Sequence, residues 1–279
     1  MNEKGIIIMA FKLGLINVGQ GPRIDNRSFV RNYFKAQGVD VEILEHASYE
    51  DLTYEQIAAL EGPDFDPNVP LYSPDTRCGA FVHCEGEHDF YLGDGWHEVW
   101  TPRLENEPRI QRCIDQLEAE GAQLILLCCC LRYPLHRFHS TVPVVFPWKT
   151  AFNYVQALAD TMERPKVGVV IGRGQNWQRD IEMWTNYDGF RNVEFHFGVG
   201  HCTGGEEALP EKLDLVVVWG YHTFDYRDGK IGDEECLELK YEKEFNCPVI
   251  SSASSAFLFA RGLMRPVIDE KSYYAPVKL

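Results

Sequence analysis

The chain has 279 residues, 45% of them hydrophobic and 25% charged, which is the composition of an ordinary folded protein and a length that fits two lobes. Its 27 basic and 42 acidic residues leave a formal net charge of −15. That balance argues against nucleic acid or an anionic membrane as partner, since both recruit basic patches, but it leaves room for a small anionic substrate held by one local arginine.

Read in chain order, the apolar stretch from Gly5 to Leu15 is broken by Lys12 and Gly14 and runs into a strand over Lys12 to Val18, so it reads as an extended start and not as a targeting segment. Gly19-Gln20-Gly21-Pro22-Arg23 follows. Glycines there let backbone N–H groups turn toward an anion, and Arg23 can fork onto a carboxylate; the alternative is a plain strand-to-helix turn with a surface arginine. A helix over Ser28 to Ala36, a strand over Val39 to Leu44 and a helix over Tyr54 to Leu60 come next, the last with Thr53 and Gln56 placed to cap it. Pro63 to Pro74 is a flexible approach to Cys78–Arg103, where short aromatic and β-branched runs flank Asp94-Gly95. Asp-Gly between such runs predicts a tight turn, hence an antiparallel flap inserted in the first half.

A helix over Glu107 to Glu120, stopped by Gly121, leads to Leu124-Ile125-Leu126-Leu127 and then to Cys128, Cys129 and Cys130. The run is too short for a helix and suits a strand buried on both faces of a parallel sheet, whose carboxyl edge is where open α/β folds place ligands. Strand alternation puts Cys128 and Cys130 on one side and Cys129 on the other. The thiols have three readings: a nucleophile or acid/base, core packing, or a metal site with His136 and His139, although no Cys-x-x-Cys pair is present.

The second half offers strands at Val142 to Phe146, Lys166 to Ile171, Val193 to Phe197, Leu213 to Val218 and Pro248 to Ser251. Helices at Lys149 to Glu163, Trp177 to Tyr187, Glu234 to Glu244 and Ser254 to Leu263 lie among them, with Gly189 as a stop and Ser254 as a cap. Leu213–Val218 runs into Trp219-Gly220-Tyr221-His222, where a histidine could serve as a second proton-transfer group. His201-Cys202 is a less favoured source of a second thiol, and Ser251-Ser252 could cradle a carboxylate at a helix N-terminus. Gly172-Arg173-Gly174 lacks the third glycine of a dinucleotide fingerprint, so NAD is rejected and no cofactor is expected.

The two halves repeat their order of elements: Leu13–Gly19 parallels Val167–Gly172, and Val142–Val145 with its Ala151-Phe152 helix parallels Cys247–Ile250 with its Ala256-Phe257 helix. The fold class expected is α/β, two similar lobes with parallel sheets related by pseudo-twofold symmetry, plus a small antiparallel insertion. The lobes divide as 1–148, with the hairpin at about 78–103, and 149–279, whose first helix is able to pack across the boundary. Nine cysteines in irregular spacing do not form a disulfide framework, and no apolar run nears the roughly 20 residues of a bilayer span, so a cytoplasmic protein is expected. A homodimer is the oligomer that base rates favour.

Together, Gly19–Arg23, the Gly121–Cys128 run ending in Tyr133-Pro134, the Val167–Val170 restart and the Pro248–Ser251 strand resemble the AroM family, a branch of the aspartate/glutamate/hydantoin racemase superfamily. The resemblance implies a cleft for a small carboxylate between the lobes, where two cysteines exchange the α-proton; relatives with one cysteine decarboxylate or lyse. The first-lobe cysteine falls on Cys128 or Cys129, and the second should fall near Val218 or Trp219, where this chain has none. The expected function is therefore a cofactor-independent isomerase or lyase at the carbon next to a carboxylate. Catalysis is expected from Cys129, Cys128 and His222, and binding from Gly19, Gln20, Gly21, Arg23, Tyr221, Ser251 and Ser252. The alternatives are an amide or cyclic-amide hydrolase with a cysteine nucleophile or metal-bound water, and a non-catalytic carboxylate-binding protein.

Overall fold

A computed structural model describes residues 10–61, 77–89, 93–171, 177–199, 209–210, 212–220, 226–227, 230–231 and 237–264. The first lobe is built from β1 (Phe11–Asn17), α1 (Ile24–Ala36), β2 (Val41–Ala47), α2 (Tyr54–Ala58), β3 (Arg77–Asp89), β4 (Gly93–Pro102), α3 (Arg103–Ala119), β5 (Leu124–Cys128) and β6 (Val144–Val145). After α4 (Pro147–Thr161), the second comprises β7 (Lys166–Ile171), α5 (Trp177–Thr185), β8 (Glu194–Val199), β9 (Leu215–Trp219), the short pair β10 (Tyr226–Arg227) and β11 (Lys230–Ile231), α6 (Leu237–Phe245), β12 (Val249–Ser251) and α7 (Ser252–Met264).

Both main sheets are parallel and share one topology. The first runs β2-β1-β5-β6 and the second, read from its other edge, β8-β7-β9-β12: in each, the order is second, first, third, fourth. The central strands explain why. Leu124–Leu127 of β5 and all of β9 are buried, as strands covered on both faces by helices must be. Helix α3 faces β1 with Ile110, Cys113, Ile114 and Leu117, an i, i+3, i+4, i+7 stripe with no accessible surface. Among the described residues, no helix is long and apolar enough to cross a membrane.

The helix after the last strand of each lobe packs against the other lobe. Phe152 of α4 lies with its ring 4.3 Å from Trp184 and 6.0 Å from Trp219, both of the second lobe. Phe257 of α7 lies 5.2, 5.0 and 5.9 Å from Phe29, Tyr33 and Phe34 of α1 in the first. The two helices meet where Thr150 Oγ1 and Ser255 Oγ share a 2.8 Å hydrogen bond. Each of these residues stands three positions after its helix start, and each hydroxyl reaches the carbonyl three residues back, Pro147 and Ser252 respectively. The repeat read from Ala151-Phe152 and Ala256-Phe257 is thus the sequence trace of this crossing. One apolar cluster runs without a break from Leu127 and Tyr133 through Phe152 to Val217 and Trp219.

Several local expectations are corrected. Asp94-Gly95 is not the hairpin turn: β3 and β4 pair from Arg77↔Pro102 to Asp89↔Gly93, and the connection lies at 90–92, outside the described residues. The positive φ of Gly95 (81°) and Gly86 (86°) serves the register shift between His83 and His88 instead. Gly189 does not stop α5, which ends at Thr185; it sits inside a short turn, Asp188–Phe190, that brings Tyr187 and Phe190 onto Phe152. Helix α3 starts at Arg103 with Pro108 inside it, its opening turn held by a 2.9 Å Arg103–Glu107 ion pair. Ser254 lies within α7, and its N–H is capped by Ser251 Oγ at 2.9 Å. The Thr53–Gln56 capping box and the stop at Gly121 are present as read.

Candidate active site

Cys129 stands just past the end of β5, half-buried, among groups that favour its thiolate. Cys78 at the start of β3 donates its S–H toward Cys129, the Leu131 N–H reaches Cys129 Sγ at 3.4 Å, and Tyr133 adds its hydroxyl. These outweigh the effect of burial and hold the Cys129 thiol below the ordinary range, while Cys78, as the donor in a buried site, is pushed well above it. Cys78 is itself fixed from three sides. Tyr133 Oη lies 3.4 Å from its sulfur, Asn106 Nδ2 donates to it at 3.2 Å, and Thr101 Oγ1 donates to its carbonyl at 3.4 Å.

This network reaches back to the glycine turn. Asn106 donates to Thr101 Oγ1 at 2.8 Å and accepts from Ser48 Oγ at 3.1 Å, and Ser48 Oγ in turn accepts the Gly19 N–H at 3.1 Å. The neighbouring thiols differ from Cys129. Cys128 packs with α1 and α7 residues, whereas Cys129 packs with the cluster shared by the insertion and α4, and Cys130 touches both. Burial, then the adjacent Cys129 charge, pushes Cys130 well up, against hydrogen bonding from Ser252 and the Gly220 N–H.

The second lobe contributes Asp180, in the first turn of α5. Trp219 donates its indole N–H to this carboxyl, and the carboxyl shares its electrostatic field with Cys129 and Cys130. Burial pushes Asp180 up to about 7, near neutrality. Strand register makes Cys128 and Trp219 equivalent: β1 pairs Asn17 with Cys128, and β7 pairs Ile171 with Trp219. The counterpart of Cys129 is therefore Gly220, one residue beyond the position expected, and it has no side chain at all. Nearby, the Arg132 guanidinium lies over the rings of Tyr187, Trp148 and Phe152 at 5.0, 5.4 and 5.9 Å.

Of the residues expected to bind an anion, Gly19, Gln20, Arg23 and Ser251 are engaged by the protein itself. Arg23 is 3% exposed, forked onto Asp25 at 2.9 and 2.6 Å and stacked on Phe81 and Trp96. The Gln20 N–H donates to Phe81 O at 2.7 Å, and its side chain bridges His83 N and Leu52 O. This turn anchors the insertion: a Cβ on Gly19 would lie 2.2 Å from Phe81 O, so only glycine admits the approach. Gly21 lines a cavity of about 280 Å³ with Arg27, Glu45, His46 and Glu50; its lining includes no cysteine and carries two carboxylates that disfavour an anion. The Ser251 N–H does bind a carboxylate, but that of Glu238, at 2.7 Å. Ser252 Oγ is buried without an oxygen or nitrogen partner and faces Cys130.

Tyr221, His222, Cys202 and Gly172–Gly174 lie outside the described residues. His136 and His139 are exposed, and among the described residues no three His, Cys, Asp or Glu gather as a metal site. Sequence reasoning missed Cys78, Asn106 and Asp180. Cys78 carried a weak signal as a lone thiol opening the insertion, and Asp180 carried one as an acidic residue in a first helical turn, but neither announces its neighbours.

The sequence model of the AroM protein family matches residues 91–201. A search of curated proteins found no match. Among solved structures, unliganded arylmalonate decarboxylase is similar at a TM-score of 0.51 and 12% identity, over 93% of this chain and 95% of that one. A glycine-to-cysteine mutant of arylmalonate decarboxylase in its sulfate-associated form gives 0.50 and 12%, over 92% and 95%. Maleate isomerase from Pseudomonas putida gives 0.47 and 10%, over 91% and 93%. The AroM family model thus covers residues 91–201, and the chain shares the α/β fold of arylmalonate decarboxylase.

Proposed function

We propose that this protein is a cofactor-independent enzyme of isomerase or lyase type that works at the carbon next to a carboxylate of a small molecule, with Cys129 as its reacting thiol. The observation that carries this reading is the setting of Cys129: half-buried at the carboxyl edge of a central strand, with Cys78, Leu131 N–H and Tyr133 all directed at its sulfur. Core packing alone does not require three donors on one thiolate. The thiolate takes the α-proton, and the electron pair passes into the carboxylate as an enediolate. A cation is needed where that charge collects; Arg132, three residues beyond Cys129 and backed by an aromatic wall, is assigned this role in place of Arg23.

The fold shared with arylmalonate decarboxylase makes 2-aryl malonates and 2-aryl propionates the first probes. The test is exchange of the α-proton for deuterium, followed by proton NMR in D2O. Wild type should exchange at least one such acid, and Cys129→Ser should abolish the exchange. Exchange that survives Cys129→Ser unchanged excludes the thiol mechanism.

A further inference from the structure

Where the first lobe presents the Cys129 thiol, the second presents only Gly220, so a thiol cannot supply the opposite proton from that strand end. The preceding residue, Trp219, instead pins the Asp180 carboxyl at this edge with its indole N–H. We propose that Asp180 is the second proton-transfer residue of the site, working on the α-carbon of a 2-substituted carboxylic acid from the lobe opposite Cys129. The inference rests on the carbon-acid reading of Cys129 and extends it to a thiol–carboxyl pair.

Three observations converge on this assignment. Asp180 and Cys129 come from different lobes, α5 and the β5 edge, yet the Asp180 charge reaches Cys129, and Cys130 as the other titrating group beside it. Trp219 is held by Phe152 and Trp184, at 6.0 and 5.1 Å, so the indole that orients the carboxyl is itself rigid. Burial without full pairing keeps the acid near neutrality, where it both gives and takes a proton. The step balances: the Cys129 thiolate takes H⁺ from the α-carbon, the enediolate takes H⁺ from the Asp180 carboxylic acid on its other face, and the reverse turnover or solvent restores both groups.

The test uses one enantiomer of a 2-aryl propionate in D2O with wild type, Asp180→Asn, Asp180→Glu and Cys129→Ser. Asp180→Asn should lower inversion at least 100-fold while exchange of the starting enantiomer persists, Asp180→Glu should recover part of the inversion, and Cys129→Ser should abolish both. Inversion unchanged in Asp180→Asn would overturn the assignment. A second measurement needs no turnover: the rate of Cys129 alkylation by iodoacetamide, followed against pH, should bend near 7 in wild type and lose the bend in Asp180→Asn. A missing bend in wild type sinks the Asp180 assignment alone. A bend without carbon exchange by any of the four proteins sinks the Cys129 reading, and the assignment with it.

Discussion

Replacing Asp180 by Asn should stabilise the protein by an amount that grows as pH rises from about 4 to about 7. The carboxyl is raised from the ordinary 3.8 to about 7 by burial, with the Trp219 N–H working against the rise. Between those two values the folded state binds more protons than the unfolded chain, so stability falls as pH rises through this window. About three units at 1.36 kcal/mol each set a ceiling of roughly 4 kcal/mol at pH 8, and water reaching this half-buried residue reduces it to on the order of 2 kcal/mol. Asparagine keeps the acceptor for Trp219 and removes the charge. Urea unfolding of both proteins at pH 4 and pH 8 reads the difference directly: Asp180→Asn should nearly match wild type at pH 4 and exceed it by about 2 kcal/mol at pH 8. An equal difference at both pH values would refute the reasoning, because the effect would not then come from ionisation of Asp180.

Other outcomes follow from the same geometry. Site-resolved labelling with iodoacetamide at pH 8 should modify Cys129 well before Cys113, whose thiol burial pushes up to about 12, and Cys78→Ala, which removes the S–H donated to Cys129, should slow its labelling. Gly19→Ala should cost about 2 kcal/mol or more and make residues 77–102 the first site of limited proteolysis, since its Cβ meets Phe81 O at 2.2 Å. Phe257→Ala, which empties the contact of α7 with three rings of α1, should lower stability by about 3–5 kcal/mol in denaturant titration. A double-mutant cycle of Thr150→Val and Ser255→Ala should give about 1 kcal/mol of coupling, against none if the helices do not cross at that pair.

The framework was legible because its signals are local and periodic. Leu124–Leu127 and Leu215–Val218 are short apolar runs that nothing but doubly covered strands can use, and their repeat at matching offsets revealed two lobes of one topology. Helix ends marked by Thr53 and Gly121 were readable for the same reason. The site was less legible because its chemistry depends on which groups are already satisfied. Arg23 looked like an anion grip, but Asp25, two residues on, engages its Nε and Nη2; Ser251 looked like a carboxylate cradle and is one, for Glu238. No sequence rule brings Cys78 to Cys129 across 51 positions or hangs Asp180 on Trp219, since both meetings are made by packing between separate elements.

The central claim is that a small carboxylate is bound with its α-carbon against Cys129. A crystal of Cys129→Ser soaked with phenylmalonate tests it most directly. Density for the acid between residue 129 and Asp180, with a carboxylate on Arg132, is the predicted result. Density only in the Gly21–His46 cavity, with the Cys129 edge unvisited, would contradict it.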